Sequence, residues 1–287
     1  MSSQYFLWIF GATIALLIVE VIAGRHRGAY RKGDLLLVAS SFFLGRWVMA
    51  PLAIGLIALL YGLILPSRFE GTLSDTPLWI AYPAVLLIGE FCFYWVHRWA
   101  HQPKRFPLLW QLHRTHHSGR HMNVLLLFRL NLCWFFVIPS GWVSGMALYL
   151  GLGPAVLGYV LTLQIWNLVT HSNFRWDDSI RRHPVTGKAF RALEHVVVSP
   201  GMHHTHHGYG RDGKNYRNLG TVVALWDWVF GTLHIPEGRP AHYGLPGKDH
   251  HWLQELAYPF IRIKNKPATA EVDSNADAAM INKASTQ

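Results

Sequence analysis

Three groups of histidines carry most of the chemistry available to this chain. The stretch GMHHTHHG, residues 201–208, places His203, His206 and His207 at i, i+3 and i+4. On a helix those positions share a face. His204 lies about 100° round from His203 and is expected to point elsewhere. WQLHRTHHSG repeats the spacing with His113, His116 and His117, and FYWVHRWAH places His97 and His101 at i and i+4. Alone, a pair of histidines on one helix face is often a capping or packing feature. Eight in three such groups are hard to obtain from packing, because buried imidazoles without partners are costly. The spacing therefore points to metal ligation, with His171 in LVTHSN a ninth candidate.

Ligand type and number narrow the metal. Imidazole suits zinc, copper, iron and nickel. Eight or nine histidines exceed the four positions of a tetrahedral zinc, so two metals, each with several imidazoles and an open position, fit better. An all-nitrogen pair of irons beside a bilayer could activate dioxygen. Two other readings stay open: a membrane zinc hydrolase, and a non-enzymatic histidine-rich metal transporter or sensor. Around the ligands, Glu90 is a carboxylate inside an apolar run, which is expensive and functional by default. It is expected to accept a hydrogen bond from a ligand imidazole or to meet an arginine. Asp227 in ALWDWVFGT is a second candidate to hold a ligand from outside, or else a helix cap or a partner in a structural ion pair. His195 in LEHVVVSP reads as a supporting histidine or a tenth ligand. Trp95, Trp99 and Trp110 suit an interfacial belt.

The elements that must position these residues are membrane spans. Of 287 residues 51% are hydrophobic and only 15% charged, against roughly 25% charged in soluble domains. The apolar residues fall in blocks long enough to cross a bilayer: 5–24, 47–65 and 77–96, then a helical hairpin of 129–150 and 153–170 turned near Gly151–Pro154, fully spanning or re-entrant. Residues 34–47 read as an interfacial helix. The charge of +10 clusters beside these blocks, which favours orientation by positive loops over nucleic-acid binding. Arg25, Arg27, Arg31 and Lys32 place the first loop in the cytoplasm; Arg98, Lys104, Arg105, Arg114 and Arg120 put His97 on the same side. Cys92 and Cys133 read as buried small hydrophobes. The expected architecture is an all-α, multi-pass integral membrane protein. It has about four transmembrane helices and a cytoplasmic histidine-rich helical cap holding a dinuclear metal site. Residues 1–76 form the N-terminal membrane unit, 77–262 the catalytic unit and 263–287 a disordered tail.

HRWAH, HRTHHS and HHTHHG, in that order, with NY at 215–216 and WDWVFGT at 226–232, resemble the histidine boxes of the fatty acid hydroxylase superfamily of membrane non-haem di-iron enzymes. THHG with WDWVFGT looks nearest to the alkylglycerol monooxygenase and sterol desaturase-like branch. The resemblance covers about residues 78–235. It implies two iron ions held by His97, His101, His113, His116, His117, His203, His206 and His207, with His171 as the ninth ligand. It further implies dioxygen as co-substrate and electrons from a separate electron-transfer partner. The substrate would be a lipid (a sterol, a fatty acyl or alkyl chain, or an ether lipid) that is hydroxylated or desaturated. His204, and NYRNLG where relatives often have glycine directly after Asn-Tyr, depart from the pattern.

Overall fold

The chain's apolar blocks lack helix breakers over most of their length, and they fold as helices. The computed structural model describes residues 3–23, 31–247 and 249–263; Arg25, Arg27 and the tail beyond Ile263 lie outside them. The described helices are α1 (Ser3–Ile22), α2 (Lys32–Leu44), α3 (Ala50–Ile64), α4 (Leu78–Ala100), α5 (Pro107–His117), α6 (Trp134–Val137), α7 (Pro139–Tyr149), α8 (Gly153–His171), α9 (Trp176–Arg182), α10 (Gly187–Leu193), α11 (Pro200–His207), α12 (Leu225–Val229) and α13 (Trp252–Ala257). The one described sheet is a two-stranded antiparallel ribbon, β1 (Gly208–Tyr209) on β2 (His242–Tyr243).

Among the described residues, two helical runs are long and apolar enough to cross a membrane, Lys32–Ile64 and Leu78–Ala100. The first corrects the expectation of a separate interfacial helix over 34–47. Pro51 lacks an N–H, and its ring would clash with the carbonyl four residues back. The turn before it widens into a π-helix, Gly45–Met49, with Ala50 N–H bonding to Gly45 O. The helix therefore continues for 33 residues, roughly 50 Å against a hydrocarbon core of about 30 Å. Its outer side chains include exposed Trp47, Ile54, Leu59 and Leu63, a face that suits lipid rather than water.

The segment 129–150 is also corrected, since it is not one helix. Asn131 Oδ1 accepts from Cys133 N–H, and Pro139 forces Ile138 into an extended conformation. The result is the short α6 followed by the 11-residue α7. The turn to α8 falls where glycine was expected, at Gly151 with φ of 92°. That tip meets the α3–α4 loop through Gly71 N–H to Tyr149 O and Leu73 N–H to Leu150 O, both 2.9 Å. Helices α4, α7 and α8 share a core of Ala81, Val85, Ala147, Ala155, Val156 and Tyr159. Gly89 makes the α4–α8 approach possible, because a Cβ there would collide with the Tyr159 ring. The close fit aligns the ends of α4 and α8, which carry His97 and His171.

The N-terminal helix is pinned to that end by a carboxylate. Glu20 is buried in α1 and accepts from Val124 N–H at 3.1 Å and Asn173 N–H at 2.6 Å. Cys92 and Cys133 are free and half-buried.

Candidate metal centre

Four helices meet with their histidines pointing inward. His97 and His101 come from the end of α4, three histidines from α5, His171 from the last residue of α8 and three from α11. Their nitrogens form two sets, in each of which one ligand atom per residue lies within 4.8 Å of all the others. One set is His97, His101, His113, His117 and His206; the other is His116, His171, His203 and His207. The sets abut, with the His117 ring stacked on His207 at 4.4 Å between centroids.

All nine expected ligands are thus brought together, but not box by box. Each His-x-x-His-His group was expected to face one target. Instead His113 and His117 join one set and His116 the other, while His203 and His207 separate from His206. Residues four apart differ by about 40° round a helix, whereas the third residue is offset by about 60° to the opposite side. The i,i+4 pair shares one set and the remaining histidine joins the neighbouring one.

Hydrogen bonds on the far side of the rings decide what the inner nitrogens can do. His97 Nδ1 lies 2.6 Å from Leu219 O and His206 Nδ1 2.8 Å from Arg217 O. A carbonyl only accepts, so both Nδ1 atoms carry the proton and both Nε2 atoms present bare lone pairs. Those two Nε2 atoms face each other at 3.1 Å. A proton relay needs a hydrogen on one of them, and neither neutral ring has one to give. His113 Nε2 stands 2.9 Å from His97 Nε2 and 3.0 Å from His117 Nε2. Five imidazoles converging in this way fit a cation among them. In the second set His171 Nδ1 donates to Asn167 O at 2.8 Å, and its Nε2 lies 3.0 Å from His203 Nε2 and 3.3 Å from His116 Nε2.

Burial first, then the neighbouring imidazoles, push His101, His113, His117, His203 and His207 well below the ordinary histidine range. For His206 burial again leads, with His97 adding to it. These rings are neutral near pH 7 and available as ligands. Trp134 packs on His113 at 4.8 Å. Trp110, expected in an interfacial belt, instead packs against His101 at 5.6 Å.

The carbonyls that fix the tautomers belong to the segment 217–223, which two carboxylates hold. Asn218 adopts a left-handed conformation, φ 53°, between the two acceptor carbonyls, a region asparagine tolerates. Its side chain is tied to Met202 O, His234 O and His234 N–H. Asp227 accepts from Leu219 N–H at 2.8 Å, Gly220 N–H at 2.7 Å and Thr232 Oγ1 at 2.7 Å. Glu90 accepts from Thr221 Oγ1 at 2.6 Å and from the N–H groups of Thr221, Val222 and Val223. Among the described residues neither carboxylate bonds an imidazole of either set, contrary to expectation, nor does Glu90 form an ion pair with an arginine. Glu90 sits on the same face as His97 but binds three backbone amides and the Thr221 hydroxyl, and these four bonds offset the cost of burying its charge. Asp227 supports His97 through the Leu219 peptide, and Glu90 extends that support by three residues.

Helix α11 is fixed from beneath. Ser199 Oγ caps it, accepting from Met202 N–H at 3.4 Å, and Gly208 ends it. Gly201 N–H bonds to Asp177 at 2.7 Å. Asp177, Asp178 and Glu194 form buried ion pairs with Arg181, and both aspartates also pair with Arg239. On α5, Thr115 and Arg114 bond to Glu255 of α13, so that their helix face is occupied and the histidine face turns inward. His204 points away from both sets, with Nε2 3.0 Å from Ser172 O. His195 is corrected from its supporting role: its Nδ1 bonds to Arg191 O and its ring meets Trp228, with no contact to either set among the described residues.

The sequence profile described as fatty acid hydroxylase matches residues 82–232, more than half of the 287-residue chain. The chain belongs to the fatty acid hydroxylase family. It is 30% identical over 190 residues to the alkylglycerol monooxygenase of Danio rerio, covering 64% of this chain and 37% of that protein. It is also 30% identical over 193 residues to the ornithine lipid hydroxylase OlsE of Rhizobium tropici, covering 63% and 50%. With the Delta(7)-sterol 5(6)-desaturase erg3B of Aspergillus fumigatus the identity is 25% over 171 residues, covering 57% and 42%. The chain therefore spans between 37% and 50% of the length of these three relatives. No solved structure matches it.

Proposed function

We infer that this family member is a membrane-bound lipid oxygenase, an oxidoreductase that hydroxylates or desaturates a lipid at a pair of irons. The observation that carries the reading is the pair of bare lone pairs on His97 and His206, facing each other at 3.1 Å inside a set of five converging imidazoles. Similarity to an alkylglycerol monooxygenase, an ornithine lipid hydroxylase and a sterol desaturase supports oxidation of a lipid.

One iron would be held by His97, His101, His113, His117 and His206, the other by His116, His171, His203 and His207. When bound, the irons supply activation of dioxygen with electrons from a separate donor. The chain's own part is positional. Arg217 O and Leu219 O hold two ligand rings in one tautomer, and Asp227 holds the Leu219 peptide. Trp110 and Trp134 exclude water along two ring faces.

In the membrane, α1, α3 and α4 would each cross once and the α7–α8 hairpin would go across and back, one pass more than the count of about four that was expected. The hairpin tip at the α3–α4 loop supports full depth. Basic residues at the histidine end, including Lys104 and Arg105, support a cytoplasmic face for both sets. Residues 1–76 would then be a membrane unit and 77–262 the catalytic unit. The experiment is reduction of the anaerobically purified protein in lipid nanodiscs, followed by isotope-labelled dioxygen and mass analysis of the lipids. Label in a lipid hydroxyl, or a lipid two hydrogens lighter, is the expected result. No oxygen uptake from a protein holding a single tight zinc contradicts the reading.

A further inference from the structure

Beside the five-histidine set the protein surface sinks into a cavity of about 260 Å³ whose wall includes Arg98, His101, Gln102, Tyr216, Arg217 and Thr232. His101 is the one partly exposed member of that set, so the cavity is where this half of the site meets the outside. Its volume falls just under the roughly 300–1,000 Å³ of pockets for whole drug-sized ligands. It is the size of a head group rather than of an acyl chain. No aspartate or glutamate lines it.

The two arginines are held but not used up. Arg98 Nη1 donates to Tyr94 Oη at 2.6 Å and to Phe230 O at 3.3 Å. Arg217 Nη1 donates to Gly231 O. The remaining N–H groups of both guanidiniums have no hydrogen-bond partner among the described residues. Asp227 lies behind Thr232, but its oxygens are taken by Leu219 N–H, Gly220 N–H and the Thr232 hydroxyl. Two anchored guanidiniums with donors to spare match the oxygens of a phosphate-class anion.

We propose that this cavity binds a phosphate-class anion, supplied either by a lipid head group or as free phosphate. If it is a lipid head, the cavity holds the polar end of the substrate against His101. That placement rests on the oxygenase reading; anion binding itself does not.

The test uses the full chain in uncharged detergent, with binding of dioctanoyl phosphatidic acid, dioctanoylglycerol and inorganic phosphate followed by calorimetry. Phosphatidic acid is expected to saturate one site and the neutral diacylglycerol to bind at least about ten-fold more weakly, since charge-assisted hydrogen bonds are the strong ones. Arg217→Gln weakens phosphatidic acid about ten-fold. Gln102→Glu does the same while removing no hydrogen bond that the side chain makes, so it tests the charge without endangering the fold. Arg211→Gln, at an exposed arginine outside the cavity, changes nothing. Inorganic phosphate that competes at equal concentration identifies free phosphate as the source; a requirement for about a hundred-fold excess identifies the lipid head. Equal affinity for the neutral lipid, or unchanged binding in Gln102→Glu, overturns the proposal. So does a Gln102→Glu variant that binds the lipid normally but no longer accepts electrons from an acidic carrier protein. Metal content is measured on the same samples: a chain that binds phosphatidic acid but takes up no iron when it is offered anaerobically defeats the oxygenase reading and leaves the pocket standing.

Discussion

The two histidine sets are built by different means. In the five-histidine set, two rings are held by carbonyls of a separate segment, 217–223, which is itself clamped by Asp227 and Glu90. In the four-histidine set His171 is anchored by its own helix through Asn167 O, and His203 Nδ1 has no hydrogen-bond partner among the described residues. One set is braced from outside and is partly open at His101; the other rests on helices packed by the core. The difference teaches that a segment with no histidine of its own, 217–223, orients two rings of one set directly and reaches the other only through α11, by Asn218 to Met202 O.

The largest effects should ignore that difference. His206→Ala and His207→Ala each remove one ligand, from different sets, and both should lower lipid oxidation at least about 100-fold, since even supporting residues are worth 10–100-fold. Normal turnover in either variant would remove its set from the reaction. Asp227→Asn should separate the sets. It frees a peptide that positions His97, so affinity at the five-histidine position should fall about 10–100-fold, with the other position unchanged. Timed chelation would show one metal leaving early; equal loss of both would break the contrast.

The pH response should unite them again. His203, His206 and His207 are held well below the ordinary value by burial, whereas in the unfolded chain they titrate near about 6.5. Between those values the unfolded state binds more protons, so the metal-free protein is fully stable above about pH 6.5 and loses stability as pH falls below it. Bound metal adds a loss in the same direction. Melting of the chelated protein should occur at lower temperature at about pH 5.5 than at about pH 8; equal melting temperatures would contradict it. The smallest effect belongs to His204→Gln, which loses the bond to Ser172 O. Stability should fall by about 1 kcal/mol with metal content unchanged, and loss of metal would make His204 part of the site.

Much of the site was readable before any coordinates. The box spacing identified eight of the nine gathered histidines, with His171 a candidate from the end of the hairpin, and the 3.6-residue turn correctly turned His204 away. The partition into sets was not readable, because it depends on where α4, α5, α8 and α11 stand relative to one another. The carbonyl acceptors Arg217 O and Leu219 O carry no side-chain signal. Glu20 did carry one, a carboxylate in an apolar run, the same signal that marked Glu90. For Glu90 the residue was legible but its partners were not, since backbone amides from 131 residues away leave no trace in local sequence. The apolar blocks marked the helices, while the π turn before Pro51 and the break before Pro139 redrew two of them.

The central claim is that two separate metal positions exist, one in each set. Crystals grown without oxygen and measured at the iron absorption edge test it directly. Two anomalous peaks are expected, one among His97, His101, His113, His117 and His206 and one among His116, His171, His203 and His207. A single peak, or none at the iron edge with zinc in its place, would contradict it.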